Sequence, residues 1–560
     1  MNRKLLLLLS IVACLLIAVL AYFWATGMMD SMYAYRSPLA AQPPAPGAPL
    51  GDALTRRVVF VLIDGLRTDT AANPQVMPFL NELRARGASA TVRSEMPSYS
   101  APGYTVLFTG AWPEFSDGPP INLTYEEYIP WTQDNLFADA HRAGLTTAIS
   151  GLDWFEKLVP QDTVTVSYYT SGEDDAADRA TVDAALPWLR DAAPGLTLIH
   201  LQKVDYAGHH EGGPRDPHWN AAAQRADDLL REIVGTLDLT QDTVLVTSDH
   251  GHIDRGGHGG PEAIVRAEPL VVTGAGVKPG AHGDVQQIDI APTIAALLGT
   301  ALPASAQGRV LTDMLDLSAG ALAGIQAAAQ AQQQGLAAAY TAATGQKLNI
   351  AADADPVAAT QAAIRAARTA RATGERLPRL LLALAIVAVL GFVIWRTRSR
   401  ALAWMVGAAL VYLLVFNLKY ILLAGRTYSL SSVTSAGDLI FTIATNAALA
   451  VVVAWLVLLL TLRLHRQAPA AAAQTTLNWV LLTIALVGLP ALLSYVINGL
   501  QVTWALPEPV TYFLGVLAAM QMLIIAVVGL LLAGVAAGVG AVGSRRATRP
   551  AAAAPSAPHA

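Results

Sequence analysis

The chain of 560 residues contains a single cysteine, Cys14. One thiol excludes a disulfide framework, and because it lies in an apolar run near the amino terminus, it also excludes a thiolate metal ligand elsewhere. A basic excess is missing too. Lys and Arg number 37 against 42 Asp and Glu, the formal net charge is −5, and no cluster of cations forms a patch for nucleic acid. No internal repeat is evident, which excludes a solenoid. An even spread of apolar residues is also absent. They crowd both ends of the chain, the pattern of a membrane protein with a soluble middle.

Leu5 to Trp24 is an unbroken apolar run preceded by Arg3 and Lys4. About 20 such residues cross a bilayer, and no small-x-small cleavage site follows, so the run reads as an uncleaved signal-anchor. Five more spans are expected near 379–395, 401–424, 438–462, 477–499 and 510–535. Arg396, Arg398 and Arg400 follow the second span, Arg463 and Arg466 the fourth, and Arg545, Arg546 and Arg549 the last, whereas the loops at 425–437 and 500–509 carry only Arg426. The positive-inside rule then makes both termini cytoplasmic and puts 25–377 outside the cytoplasm, in a multi-pass protein of the plasma membrane.

Between the spans the punctuation is that of an α/β domain. Residues 36–52 are rich in Pro, Ala and Gly and read as a linker. Val58–Ile63 is a short continuous apolar run, suited to a strand buried on both faces. Strands are expected also at 146–150, 197–201, 242–247 and 270–273, and helices at 77–86, 221–237 and 289–298. Strands alternating with helices predict a mostly parallel sheet flanked by helices. The expected organisation is a signal-anchor at 1–25, a linker at 26–54, a catalytic domain at 55–317, an Ala-rich helical stalk at 318–377 that could equally pack on the domain, a five-helix transmembrane domain at 378–543, and a disordered cytoplasmic tail at 544–560.

The chemistry concentrates in S-D-H-G-H-I-D-R-G-G-H-G-G at 248–260. Carboxylate and imidazole are donors for a zinc-type ion. Two further strands end the same way, one in Asp64-Gly65-Leu66-Arg67 and one leading into Asp205 and His209. An Asp after a strand is commonly a cap or turn residue, and Ser100 before Ala-Pro is commonly a turn serine. Coincidence changes that reading. Three carboxylates at one sheet edge repel one another unless a cation joins them. His252, Asp254, His210 and Glu211 read as solvated loop residues.

The order and wording of these segments resemble the alkaline phosphatase superfamily, in particular the type I phosphodiesterases/nucleotide pyrophosphatases and the glycosylphosphatidylinositol ethanolamine-phosphate transferases. The resemblance covers about 55–312. It rests on I-D-G-L-R at 63–67, M-P-F-L at 77–80, S-x-P-G at 100–103 with T-G at 109–110, V-D-x-x-G-H at 204–209, S-D-H-G at 248–251 and G-x-H-G at 257–259. It implies an alkaline-phosphatase-like fold and two zinc ions, with manganese or another divalent ion as the alternative. Asp64, Asp249 and His250 would hold one, and Asp205, His209 and His258 the other. Ser100 takes the nucleophile's position, and Asn122, with one inserted residue, that of a phosphoryl contact. His252 stands where Met is common and is assigned to the surroundings of the site.

The expected function is a membrane-anchored phosphodiesterase or phosphotransferase working through a phosphoserine-type intermediate. Its substrate would be a phosphate diester or a lipid-linked phospho-alcohol, and five carboxy-terminal spans favour the lipid. The alternatives are a phosphoethanolamine-type transferase and a non-catalytic ligand-binding membrane protein. A sulfatase is disfavoured because Tyr104 replaces the Arg of the C/S-x-P-x-R motif.

Overall fold

The computed structural model describes residues 3–351, 355–397, 399–433 and 435–547. Arg398, Arg549, positions 353 and 354 of the break in the Ala-rich segment, and 548–560 of the expected tail lie outside the described residues.

The soluble part is built on one eight-stranded sheet: β1 (Arg57–Ile63), β2 (Ala88–Arg93), β3 (Thr147–Leu152), β4 (Val166–Thr170), β5 (Leu196–Leu201), β6 (Asp242–Thr247), β7 (Ala267–Gly274) and β8 (Gly280–Gln286), in spatial order β4-β3-β5-β1-β6-β7-β2-β8. Only β7 runs against the others. The mostly parallel sheet is therefore as expected. All seven residues of β1 are buried, as its continuous apolar run requires. Its side chains alternate between two cores. Val58, Phe60 and Leu62 pack with Leu107, Phe137 and Ile294 on one face. Val59, Val61 and Ile63 pack with Phe79, Leu230 and Ile233 on the other. Helices on both faces thus sandwich the sheet.

Strands β2, β4 and β8 were not expected. β4 shows no strand signal because its Val-Ser-Tyr-Tyr-Thr is half-buried and lacks an apolar run. β8 is mostly exposed and holds two glycines.

Six helices among the described residues are long and apolar enough to cross a membrane: Arg3–Tyr33, Pro356–Arg396, Arg400–Leu423, Gly437–Thr461, Pro469–Val487 and Pro509–Val542. They fall on the six expected spans, with three differences. The first helix runs on to Tyr33, and the segment after it is not a loose tether: Arg36 Nε and the Ser37 amide donate to Asp117 Oδ1 at 3.0 and 2.7 Å, and Leu39 packs on Phe115 and Tyr340. Of the two Ala-rich helices, Ala319–Thr344 lies on the domain, where Gln332 donates to the carbonyls of Ala304 and Ala306. The second continues unbroken into the span as a helix of 41 residues. The expected span 477–499 is two helices, Pro469–Val487 and Leu489–Asn498, since Pro490 has no amide to carry the first helix on.

Candidate metal centre and nucleophile

The strand order explains the site. β5, β1 and β6 are neighbours and parallel, so their carboxyl ends lie side by side. Asp64 follows β1, Asp205 sits in the first turn of the helix Lys203–His210 after β5, and Asp249 and His250 follow β6. Three sequence segments separated by up to 185 residues meet at one edge, as open α/β sheets arrange their sites.

Each carboxylate at the first position has one oxygen committed and one bare. Asp64 Oδ2 accepts from His200 Nε2 at 2.9 Å and from the Tyr104 hydroxyl, while Oδ1 is buried without a partner. Asp249 Oδ1 accepts from the Gly65 amide at 3.2 Å, while Oδ2 is buried without a partner. Gly65, with φ of 70°, makes that approach possible. His250 Nδ1 donates to the Gly251 carbonyl at 3.2 Å, which leaves its Nε2 a free lone pair. Asp64, Asp249 and His250 each offer a ligand atom within 4.8 Å of the other two. Buried unpaired oxygens are costly, and a cation is what such a cradle fits.

The second position gathers Asp205, His209 and His258. His209 lies one helical turn beyond Asp205 and its Nε2 is 3.6 Å from Asp205 Oδ2. His258 Nε2 is 3.6 Å from Asp205 Oδ1 and 2.8 Å from His209 Nε2, and its Nδ1 donates to the Ser98 carbonyl at 3.0 Å. The six expected ligands therefore converge in two adjacent sets. The rings of His250 and His258 stack at 3.7 Å between centroids, so the two sets adjoin.

Charge at the site shows its strain without a cation. Burial, then repulsion from Asp64 and Asp205, pushes the Asp249 carboxyl well above the usual carboxylate range. At Asp205 burial also raises the value, but His209, His252 and His258 outweigh it and hold the carboxyl well below that range. Burial lowers His250 to about 4 and lowers His258 well below an ordinary imidazole, so both rings are neutral, the form that binds metal.

Ser100 opens the helix Ser100–Thr109, and its Oγ lies 3.1 Å from His250 Nε2, beside the first cradle. The Ala101 amide, next in that helix, donates to Asn122 Oδ1 at 3.0 Å, so Asn122 is held against the amino-terminal end of the Ser100 helix. Asp254 pairs with Arg67 and Arg215 at 2.9 and 3.2 Å, and Glu211 pairs with Lys203 at 2.6 Å. Both are away from the ligand atoms, as expected. His252 is a correction. It is fully buried, not solvated, and its Nε2 is 2.7 Å from Asp205 Oδ1. His200 went unnoticed in the sequence, although one histidine inside a strand otherwise buried on both faces is a usable signal.

Above Ser100 a cavity of about 860 Å³ opens, and it joins the two halves of the protein. Asp64, Ser100, Asn122 and His258 line one end. Met29 and Met32 of the first membrane helix and Tyr512, Phe513 and Val516 of the last line the other. Trp154 also lines the cavity, whereas its neighbour Tyr128 and Trp131 are buried in the core. The loop after the third candidate span also reaches the segment that carries His258: the Gly260 amide donates to Ser431 Oγ at 3.0 Å, Ser431 Oγ donates to Glu262 at 2.7 Å, and Arg255 donates to Ser432 Oγ at 3.0 Å.

Residues 58–116 and 120–266 match the family model described as type I phosphodiesterase/nucleotide pyrophosphatase. The resemblance read from the motifs is thus matched over the segments that carry the site. Among curated proteins the chain is similar to the human GPI ethanolamine phosphate transferase 2, catalytic subunit, at 27% identity over 312 residues, covering 50% of this chain and 31% of that protein. It is also similar to the human transferase 3, catalytic subunit (26% over 352 residues, covering 56% and 32%) and to the Saccharomyces cerevisiae transferase 2 (26% over 316 residues, covering 48% and 37%). The matches span about a third of the length of these relatives. Among solved structures, human ectonucleotide pyrophosphatase/phosphodiesterase 5 aligns with a TM-score of 0.40 at 15% identity, covering 47% of this chain and all of that one.

Proposed function

We propose that this protein is a membrane-bound, metal-dependent phosphodiesterase or phosphotransferase that uses Ser100 as nucleophile on a lipid-linked phosphodiester outside the cytoplasm. The observation that carries it is the position of Ser100 Oγ, 3.1 Å from His250 Nε2, at the floor of a cavity whose other end is walled by membrane helices. A soluble substrate needs no such wall, whereas an acyl or prenyl chain does. The relatives named as ethanolamine phosphate transferases favour transfer to an acceptor hydroxyl over hydrolysis.

Two zinc-type ions, one on Asp64, Asp249 and His250 and one on Asp205, His209 and His258, would supply the positive charge that offsets the phosphoryl oxygens and acidifies the serine hydroxyl. Ser100 Oγ forms a bond to phosphorus as the bond to the leaving alcohol breaks, and that alcohol departs with a proton. Asn122, whose Oδ1 is taken by the Ala101 amide, would orient the phosphoryl group through its side-chain NH2. An acceptor hydroxyl or water then attacks the phosphoserine and restores Ser100.

The test is zinc-loaded protein in detergent with bis-p-nitrophenyl phosphate, beside Ser100→Ala. Turnover should require metal and should fall at least about 10³-fold in the variant, with metal content kept. Turnover indifferent to either would sink the reading. Labelled phosphatidylethanolamine with a membrane glycolipid then separates transfer from hydrolysis.

A further inference from the structure

The imidazoles of the metal loop are sorted by what their Nδ1 atoms touch. At His250 and His258 the partner is a backbone carbonyl, from Gly251 and Ser98. A carbonyl only accepts, so Nδ1 carries the proton and Nε2 of the neutral ring carries a lone pair, turned to the Ser100 hydroxyl in His250 and to His209 in His258. His252 is wired the other way. The Gly257 amide donates to His252 Nδ1 at 2.9 Å. An N–H only donates, so the proton of the neutral ring sits on Nε2, 2.7 Å from Asp205 Oδ1.

The ring cannot evade this assignment. Turned over, it would set carbon against both the Gly257 amide and Asp205. Nor has it room to swing away. A Cβ at Gly208 would lie 2.3 Å from its Cε1, a Cβ at Gly65 would lie 2.8 Å from its Nε2, and Trp219 closes a further side with ring centroids 5.3 Å apart. Both glycines are thus explained by the closeness of this one side chain.

We propose that His252 is a positioning residue: a fixed hydrogen-bond donor to Asp205 that sets the carboxylate's rotation toward His209 and His258, and not itself a metal ligand. The arrangement parallels His200 on Asp64, so each candidate ion would have one carboxylate steered by a buried imidazole. The inference rests on the metal-site reading above, and it assigns His252 the opposite role to that of its neighbours in the same cluster of Asp205, His250, His252 and His258.

The experiment measures zinc affinity of the full-length protein by chelator competition and imidazole ligation of the bound zinc by X-ray absorption. His252→Ala should weaken the site about 10- to 100-fold, the usual effect of removing an outer-shell donor. His252→Gln, whose amide can donate to Asp205, should recover most of that loss, and His252→Met, which fills the space without donating, should not. The imidazole count per zinc should be the same in wild type and His252→Gln. Gly208→Ala should weaken zinc on its own and add little on top of His252→Ala, because both act through the ring. A lower imidazole count in His252→Gln, equal recovery by Met, or additive losses with Gly208→Ala would overturn the assignment. Wild-type protein that takes up no divalent ion would instead remove the metal-site reading on which it rests.

Discussion

Asp249→Asn should make the protein more stable without metal and less stable with it. Asp249 and Asp64 present ligand atoms within 4.8 Å of each other. At an effective dielectric constant of about 20, two unit charges at that distance repel by about 3.5 kcal/mol. Protonating Asp249 instead, from an ordinary carboxyl value of 3.8, costs about 4 kcal/mol at pH 7. Burial and Asp205 add to that repulsion and raise the carboxyl further, so the metal-free wild type carries a cost of about 3.5–4 kcal/mol, with that of protonation the ceiling. The substitution removes it and keeps an oxygen for the Gly65 amide, though a neutral acceptor is weaker by about 1 kcal/mol. Its new Nδ2 occupies the place of Oδ2, which lies 3.2 Å from His250 Nε2, and can donate to that nitrogen in competition with the Ser100 hydroxyl. A net gain of about 2.5–3 kcal/mol should raise the melting temperature in chelator by about 5–12 °C. With zinc at about 1,000 times its Kd the wild type gains about 4 kcal/mol. The variant, left with a neutral amide for a carboxylate, gains little, so the order of the two melting curves reverses. Differential scanning fluorimetry in detergent, with chelator and with zinc, reads both. A variant that melts below wild type in chelator would mean that the carboxylate serves the fold and not a cation.

Acid should destabilise the metal-free protein through His250. Its folded value of about 4 lies below the ordinary 6.5, so the folded ring binds fewer protons between those limits. The stability it contributes is complete above about pH 6.5 and is lost as pH falls toward 4, at most about 3 kcal/mol. Melting temperatures of wild type should fall over that window and those of His250→Gln should be flatter; parallel curves would refute the assignment. Gly257→Ala should uncouple the membrane loop from the metal loop, because the glycine has φ of 101° and its Cβ would lie 2.2 Å from the Ser431 carbonyl. Diesterase activity should drop about tenfold or more, since misplacing a site by about 1 Å costs up to 10²-fold. Normal activity would show that the contact is incidental. Tyr104→Phe removes one of two donors to Asp64 Oδ2 and should weaken zinc about tenfold, with the His200 bond retained; unchanged affinity would make the hydroxyl dispensable.

How far the sequence reached follows from what each feature rests on. β1, β5 and β6 were legible because a strand buried on both faces must be a continuous apolar run, and their ends announced themselves by an Asp where the run stops. β2, β4 and β8 lie toward the sheet's margins, are partly exposed, and carry Ala, Ser, Thr, Tyr and Gly, so no hydrophobic period marks them. The ligand residues could be chosen by type and motif. The motif also set His252 apart from them, but its hydrogen-bonding role could not be read, because that turns on which nitrogen meets a carbonyl and which meets an amide. For His252 that is decided by Gly257, five residues on, and nothing in the residue type carries the information.

The same reason hid the role of the membrane domain. The loop 425–437 was a connector in the sequence, notable only for carrying a single cation, Arg426, and its hold on the candidate ligand loop runs through serine hydroxyls and backbone groups that have no motif. Yet two separate observations join the halves. The loop contacts the Arg255–Glu262 stretch that carries His258, and the cavity over Ser100 is completed by the first and last membrane helices. An anchor needs neither. A membrane domain that both braces a candidate ligand loop and lines the cavity over Ser100 is placed to contribute to the candidate site, and under the proposed function the substrate's apolar portion would enter beside these helices while its phosphoryl group meets Ser100.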